Sequence, residues 1–463
     1  MKTVAPLLFL PNRTETVNLV YGGTLALSLA CCFSMALART HILSKKRERF
    51  LSMSGMKHSD HADAQAIKRK AGRVLFIGIP GTRLNRQSRA MLNEVQPGGV
   101  VLFGRNVESA EQVALLTAQI RDAVDHEVLI GVDQEGGLVD RFRDICEPMP
   151  SAKAIRVAGQ SDLAHKFGHL TARALRLLGF NINFAPVLDL SGENQENGLR
   201  GRTFGDYAAE VSRLGGAYLD GLQKGRIIGC GKHFPGLGGS SVDSHRRLPV
   251  VTHSWDEIFE RDLVPFMDLM FHRPGERLHS VMVSHGAFPE VSEFLQAWFR
   301  RTGQLPPLES VHQLPATISG NVVMKLLRQA LKFDGLVITD DMEMGAVVQT
   351  LSVAEASLRA IEAGSDMILI CEQEANFVSA RDAIAEAVEK GDLAVDALDR
   401  AGRRMDHVLA LAGEYESFSQ DDFDTVSRDI AELKRALQAA ENDEEYAPLY
   451  GTPEGNERQS SNF

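Results

Sequence analysis

The stretch GLVITDDMEMGA, residues 335–346, runs from an apolar, β-branched segment straight into two carboxylates. A short apolar run that ends in acids reads as a buried strand delivering charged groups at its C-terminal end. Working outward, similar runs recur from Arg73 onward: Val74 to Ile79, Val100 to Gly104, Val128 to Val132, Ile182 to Leu190, Ile227 to Cys230, Val281 to Ser284, Leu336 to Thr339 and Met367 to Cys371. Stretches with helical periodicity separate most of them, such as Glu108 to Val124, Asp206 to Lys224, Asn321 to Leu331, Val353 to Ala363 and Asn376 to Glu389. Strand and helix alternating at this spacing predict parallel βαβ units, and near-continuous apolar strands predict a sheet covered on both faces. Polar residues gather where the runs end: Asp133, Asp189, Lys232 with His233, His285, Asp340 with Asp341, and Glu372. Eight strands with polar groups at the ends of many of them predict an α/β fold of the (β/α)8 type, whereas an open doubly wound sheet would concentrate them at one switch point. No GxGxxG follows the first run and no GxxxxGK[ST] occurs, which argues against dinucleotide and P-loop chemistry.

The whole chain has 463 residues, room for a core of any ordinary size. Hydrophobic residues make up 44% and charged residues 24%, a globular composition, and the formal net charge of −11 argues against nucleic acid as a partner. Cys31, Cys32, Cys146, Cys230 and Cys371 are odd in number and lack CxxC spacing, so neither a disulfide framework nor a zinc site is expected. The reading implies no metal, no cofactor and a monomer.

The division expected is 1–70 as an N-terminal extension, 71–413 as the barrel, and 414–463 as a helix followed by a disordered acidic tail. Residues 16–38 carry no charge, and about 20 apolar residues suffice to cross a bilayer. Three readings of this segment stand. Lys45, Lys46, Arg47 and Arg49 after the run favour a membrane anchor with the barrel in the cytoplasm. Ala36-Leu37-Ala38 has the form of a signal-peptidase site, which would export the chain, and a start at Met53 or Met56 would leave it cytoplasmic. At the other end, residues 426–440 have the period of one amphipathic helix. The stretch 271–315 is long enough either to overhang the barrel mouth or to form a plain surface excursion.

Among single residues, Asp340 stands where the seventh run meets the mouth, and its structural alternative is a helix cap, a role better suited to Asp341. Asp243 and His245 form an Asp-Ser-His step on a Gly/Ser-rich loop. Histidine, with a pKa of about 6.5, can donate and accept protons near neutrality, and a carboxylate can fix its tautomer. The alternative is an exposed loop histidine. Lys232 and His233 are either site residues or a solvent-facing lysine and a satisfied core histidine. Arg202 is either a site residue or a surface arginine, and Arg141 follows Asp133 beyond the Gly136-Gly137 pair.

The segments VDQEGG (132–137), NFAPVLD (183–189), GKHFPG (231–236), DSH (243–245) and ITDDMEMGA (338–346) closely resemble the family 3 glycoside hydrolases, in particular their single-barrel β-N-acetylglucosaminidases. The resemblance spans Arg73 to Ala412. It implies Asp340 as the nucleophile of a retaining mechanism, His245 as acid/base and Asp243 as its partner. It also implies that Asp133, Arg141, Arg202, Lys232 and His233 hold N-acetylglucosamine, and that the substrate is a saccharide or cell-wall muropeptide. Two positions depart from the family pattern: Leu237 stands where His is usual and Leu138 where Arg is usual. Rival readings are a β-glucosidase or a glycoside phosphorylase on the same fold, or a non-catalytic sugar-binding barrel.

Overall fold

The computed structural model describes residues 63–191, 198–240, 248–272, 277–302 and 313–441; Asp243, His245, the apolar segment 16–38 and the tail from 442 lie outside the described residues. The compact unit that begins at Ile67 is built on eight parallel strands: β1 (Leu75–Gly78), β2 (Gly99–Leu102), β3 (Leu129–Val132), β4 (Ile182–Asn183), β5 (Ile228–Phe234), β6 (Ser280–Val283), β7 (Leu336–Thr339) and β8 (Ile368–Ile370). Their order is β7-β6-β5-β4-β3-β2-β1-β8. A parallel bridge from Ile338 to Met367 and the bond from Thr339 N to Met367 O (3.0 Å) close the ring. The expected (β/α)8 barrel is therefore present.

Strand side chains alternate between two environments. Phe76, Val101, Leu129, Ile182, Ile228, Met282, Leu336, Ile338 and Leu369 pack together as the barrel interior. Their neighbours Ile77, Val100, Ile130, Val281, Val337 and Ile368 belong to the outer layer beneath the helices. Each such side chain contributes about 1.5–3 kcal/mol on leaving water, so the period of two fixes which residues point inward. Carried past the strand ends, the interior parity falls on Asp133 after β3, on Lys232 in β5, on Asp340 after β7 and on Cys371 after β8. Met405, Val408 and Leu409 join the interior cluster and plug the opposite end.

The helices around it include α1 (Arg86–Val95), α2 (Ala110–Arg121), α3 (Ala152–Ala158), α4 (Ser161–Leu177), α5 (Ala208–Lys224), α6 (Pro289–Thr302), α7 (Asn321–Ala330), α8 (Val353–Ala363), α9 (Glu374–Lys390), α10 (Val395–Leu409) and α11 (Gln420–Glu441). Local chemistry starts several of them. Ser109 and Gln112 form a capping box on α2, and the Ser352 hydroxyl accepts from Glu355 N (3.2 Å) on α8. Helix α7 is wide-wound, with Lys325 N bonded to Gly320 O and Leu331 N to Leu326 O. The C-terminal helix α11 begins before the expected 426. Its apolar residues Phe423, Val426, Ile430, Leu433 and Leu437 recur at helical spacing and are buried against α3 and α4.

Three other boundaries differ from the sequence reading. β5 runs on to Phe234, past the expected end at Cys230, so Lys232 and His233, expected where the run ends, lie within the strand. Only Ile182–Asn183 of the fourth run is regular strand; beyond it Val187 makes a single bridge to Lys232. The stretch 271–315 contains β6 and α6, and Phe294 of α6 stacks on Trp255 with ring centroids 4.0 Å apart. Ala287, just past β6, bridges both Val250 and Pro315 and ties the base of this excursion to the chain that follows β5.

Candidate active site

The mouth of the barrel is organised by a chain of alternating charges. Lys232 Nζ lies 2.7 Å from Asp133 Oδ1 and 2.6 Å from Glu135 Oε1. Arg202 grips Glu135 with two parallel bonds, Nε to Oε2 and Nη2 to Oε1, both 2.8 Å. Arg141 stands 3.7 Å from Asp133 on the other side. Arg141, Asp133, Lys232, Glu135 and Arg202 thus run plus, minus, plus, minus, plus. Lys232 is only 2% exposed, which rules out the solvent-facing alternative. Burial by itself would raise the Glu135 carboxyl pKa, but Lys232 and Arg202 beside it hold it well below the usual carboxylate range. Burial likewise opposes the charges on Lys232 and Arg202, and their carboxylate partners overcome it and raise both pKa values. Glu135, Lys232 and Arg202 therefore keep their charges at neutral pH.

The backbone holds the network by a tight turn. Gly136 and Gly137 adopt φ values of +83° and +59°, a conformation that a side chain disfavours, and the turn folds Glu135 back so that its N–H reaches Val139 O. Asp140, buried beneath, accepts from Gln134 Nε2 (2.8 Å) and Met149 N (2.8 Å). Leu138 is 72% exposed at the tip of this turn, while Arg143 covers its carbonyl.

His233 is bound to Asp189, as its core-histidine alternative anticipates. Nδ1 lies 2.6 Å from Asp189 Oδ2, so Nδ1–H donates and Nε2 remains for another partner. Asp189 is fully buried and also accepts from His233 N (3.2 Å) and Leu237 N (2.7 Å). Leu237 itself is buried, its side chain close against Gly286.

Asp340 leaves β7 on the interior parity. Its N–H donates to Val283 O (3.0 Å) and its Oδ1 accepts from Asp341 N (2.9 Å). It does not cap a helix; the next short helical turn starts from Met344. Asp341 instead forms a local turn, accepting from Glu343 N (3.1 Å). Burial, aided by the negative charges of Glu343 and Asp340 and opposed by the Glu343 N–H, pushes the Asp341 carboxyl up to about 7. Burial pushes the Cys371 thiol well up, and the negative charges of Asp341, Asp133 and Asp340 add to the rise. Glu343 fastens this turn to the end of β8 by accepting from Cys371 N, Gln373 N and Asn376 Nδ2 at 3.0, 3.1 and 2.6 Å. His285 fastens it to β6: Nε2–H donates to Asp341 O (2.7 Å), and Nδ1 meets the Thr317 hydroxyl (2.9 Å).

The structure thus brings together Asp133, Arg141, Arg202 and Lys232, with His233 beside Lys232 on β5. Asp243 and His245 lie outside the described residues. Glu372 pairs with Arg105 (2.5 Å). Sequence reasoning overlooked Glu135, although its position two residues after Asp133 puts both on the same side of an extended chain.

The fold and its charged mouth define a (β/α)8-barrel enzyme. The chain belongs to glycosyl hydrolase family 3: residues 66–408 match the model of the family's N-terminal domain, and it is accordingly a glycoside hydrolase. It is 32% identical over 312 residues to a beta-hexosaminidase of Tolumonas auensis, covering 67% of this chain and 86% of that one. With a beta-hexosaminidase of Pseudomonas aeruginosa it shares 33% over 304 residues, or 65% of this chain and 83% of the other. A solved family 3 beta-N-acetylglucosaminidase from Paenibacillus superposes with a TM-score of 0.69 at 31% identity, covering 79% of this chain and 68% of that one.

Proposed function

We propose that the protein is a retaining exo-β-N-acetylglucosaminidase. The observation that carries this reading is the Arg141–Asp133–Lys232–Glu135–Arg202 network at the barrel mouth, on the side where Asp340 emerges. Charged donors and acceptors fixed in place suit a sugar with several hydroxyls, because charge-assisted hydrogen bonds are the strong ones. In this reading Asp133, Arg141, Arg202, Lys232 and His233 bind the terminal N-acetylglucosamine.

Asp340 then attacks the anomeric carbon. The bond to the leaving oxygen breaks as His245 passes its proton to that oxygen, with Asp243 stabilising the imidazolium beforehand. His245, now neutral, takes a proton from water; the water oxygen attacks the same carbon and Asp340 is released. Two inversions give net retention. Family relatives named beta-hexosaminidase support the sugar, and the chemistry needs only protons and a carboxylate. A cell-wall muropeptide as natural substrate, and attachment to a membrane through residues 16–38, are further parts of the proposal and rest on the sequence alone.

Turnover of an aryl β-N-acetylglucosaminide by an Asp340→Asn variant is the direct test. Loss of turnover by ~10³-fold or more is expected, since a nucleophile is removed. A fluorinated N-acetylglucosamine label is expected to map to Asp340 in the wild type. Wild-type rates in the variant would overturn the assignment, and release of muropeptide N-acetylglucosamine against simple aryl sugars measures the substrate preference.

A further inference from the structure

A second Asp–His pair lies under the chain that leaves β5, outside the charged mouth. His253 Nδ1 is 2.7 Å from Asp262 Oδ2, and Asp262 is 2% exposed. The segment above the pair follows its contour closely. A Cβ at Gly239 would fall 2.5 Å from His253 Cε1, and one at Gly236 would fall 2.8 Å from Asp262 Cβ. Gly236 also has φ +126°, which a side chain would strain. The same segment is pinned at Leu237 N by Asp189 Oδ1 and bridged at Ser240 to Val251, two residues before His253. Val250 is bridged in turn to Ala287. The chain on both sides of 241–247 is therefore tied into one small assembly, and His253 is the side chain against which Gly239 rests.

We infer that His253, held by Asp262, is a positioning residue that sets the base of the segment carrying Asp243 and His245. This inference rests on the proposed acid/base role of His245. The His253 Nδ1–H donated to Asp262 fixes the ring's tautomer and orientation, and the ring edge then fixes Gly239. Burial raises the Asp262 carboxyl pKa, and the bond from His253 opposes that rise. The neighbouring charges are Asp189 and Arg261 facing Asp262 and Glu257 facing His253.

The test separates proton delivery from general folding. For each variant, kcat/KM is measured on a methyl β-N-acetylglucosaminide, whose departure needs a proton, and on the 2,4-dinitrophenyl glycoside, whose departure does not. His253→Ala is expected to lose ~10-fold or more on the methyl glycoside, the scale on which a misplaced group acts, and little on the dinitrophenyl one. Inhibition by free N-acetylglucosamine should stay unchanged. His253→Gln, which keeps an N–H for Asp262, should recover part of the loss. Gly239→Ala, which pushes on the ring from above, should reproduce the same selective loss and carries the test if His253→Ala does not fold. Equal losses on both substrates, or none on either, would overturn the inference. His245→Ala serves as the control. If it shows the selective loss and the His253 and Gly239 variants do not, only the inference falls; if it lacks the selective loss, the acid role fails and the inference falls with it.

Discussion

Glu135 holds two cations at once, and its burial makes that geometry expensive to disturb. Replacing it with Gln would leave Lys232 and Arg202 buried without their shared carboxylate, a loss of about 3–5 kcal/mol for a broken buried pair. Thermal unfolding of Glu135→Gln should therefore shift down, and KM for N-acetylglucosaminides should rise because both donors lose their orientation. Asp341 behaves in the opposite sense. Its folded pKa of about 7 lies above that of an unfolded aspartate, so its contribution to stability is full below about pH 4 and is lost as pH rises through 7. Asp341→Asn removes this penalty, so the melting temperature of the variant relative to wild type should climb between pH 5 and pH 8. A flat difference across that range would show that the carboxyl is not held neutral. At this scale the sequence exposed Asp133, Lys232, Arg202 and Asp340 as candidates, because each carries the chemistry on its own side chain. It did not expose Glu135, whose importance lies in partners distant along the chain.

Among the elements, α11 acts on a part of the chain far from it in sequence. Ser427 Oγ accepts from Glu147 N (2.8 Å), Lys434 pairs with Glu147 (2.5 Å), and Arg173 of α4 pairs with Asp429 (2.6 Å). Glu147 belongs to the connection between β3 and α3 that also carries Asp133, Glu135 and Arg141. A chain ending at Gly413 would lose the apolar face of α11 from over α3 and α4 and leave this connection unbraced. The expected result is a raised KM with a smaller change in kcat, read by steady-state kinetics. Ser427→Ala alone should cost about 1 kcal/mol, the worth of one hydrogen bond, in a denaturant titration. The period of the helix was legible in the sequence, since Val426, Ile430, Leu433 and Leu437 alternate with charges. Its attachment to the β3–α3 connection was not, because neither a hydroxyl nor a surface lysine announces its partner.

At the scale of the whole molecule, the ring is closed at the seam between β7 and β8, and Asp366 is the hinge of that closure. Asp366 is 2% exposed; it accepts from Val337 N (2.9 Å) and Arg404 Nη1 (2.9 Å) and pairs with Arg328. Asp366→Ala should lower global stability by about 3–5 kcal/mol in equilibrium unfolding, because two arginines lose a buried counter-charge. Unfolding should remain a single transition if the barrel is one cooperative unit, monitored by circular dichroism and tryptophan fluorescence together. What the sequence by itself determined is the number of strands, their alternation with helices and the ends at which polar residues gather. Those features are local: they follow from the period of two in a strand, the period near 3.6 in a helix and the cost of leaving an apolar run in water. What only the tertiary structure decided is which charges meet. Lys232 reaches Asp133 across 99 residues of chain, and Glu135 meets Arg202 across 67. Such pairs form because barrel closure brings successive strand ends to one rim, and there desolvation leaves each buried charge stable only beside its opposite.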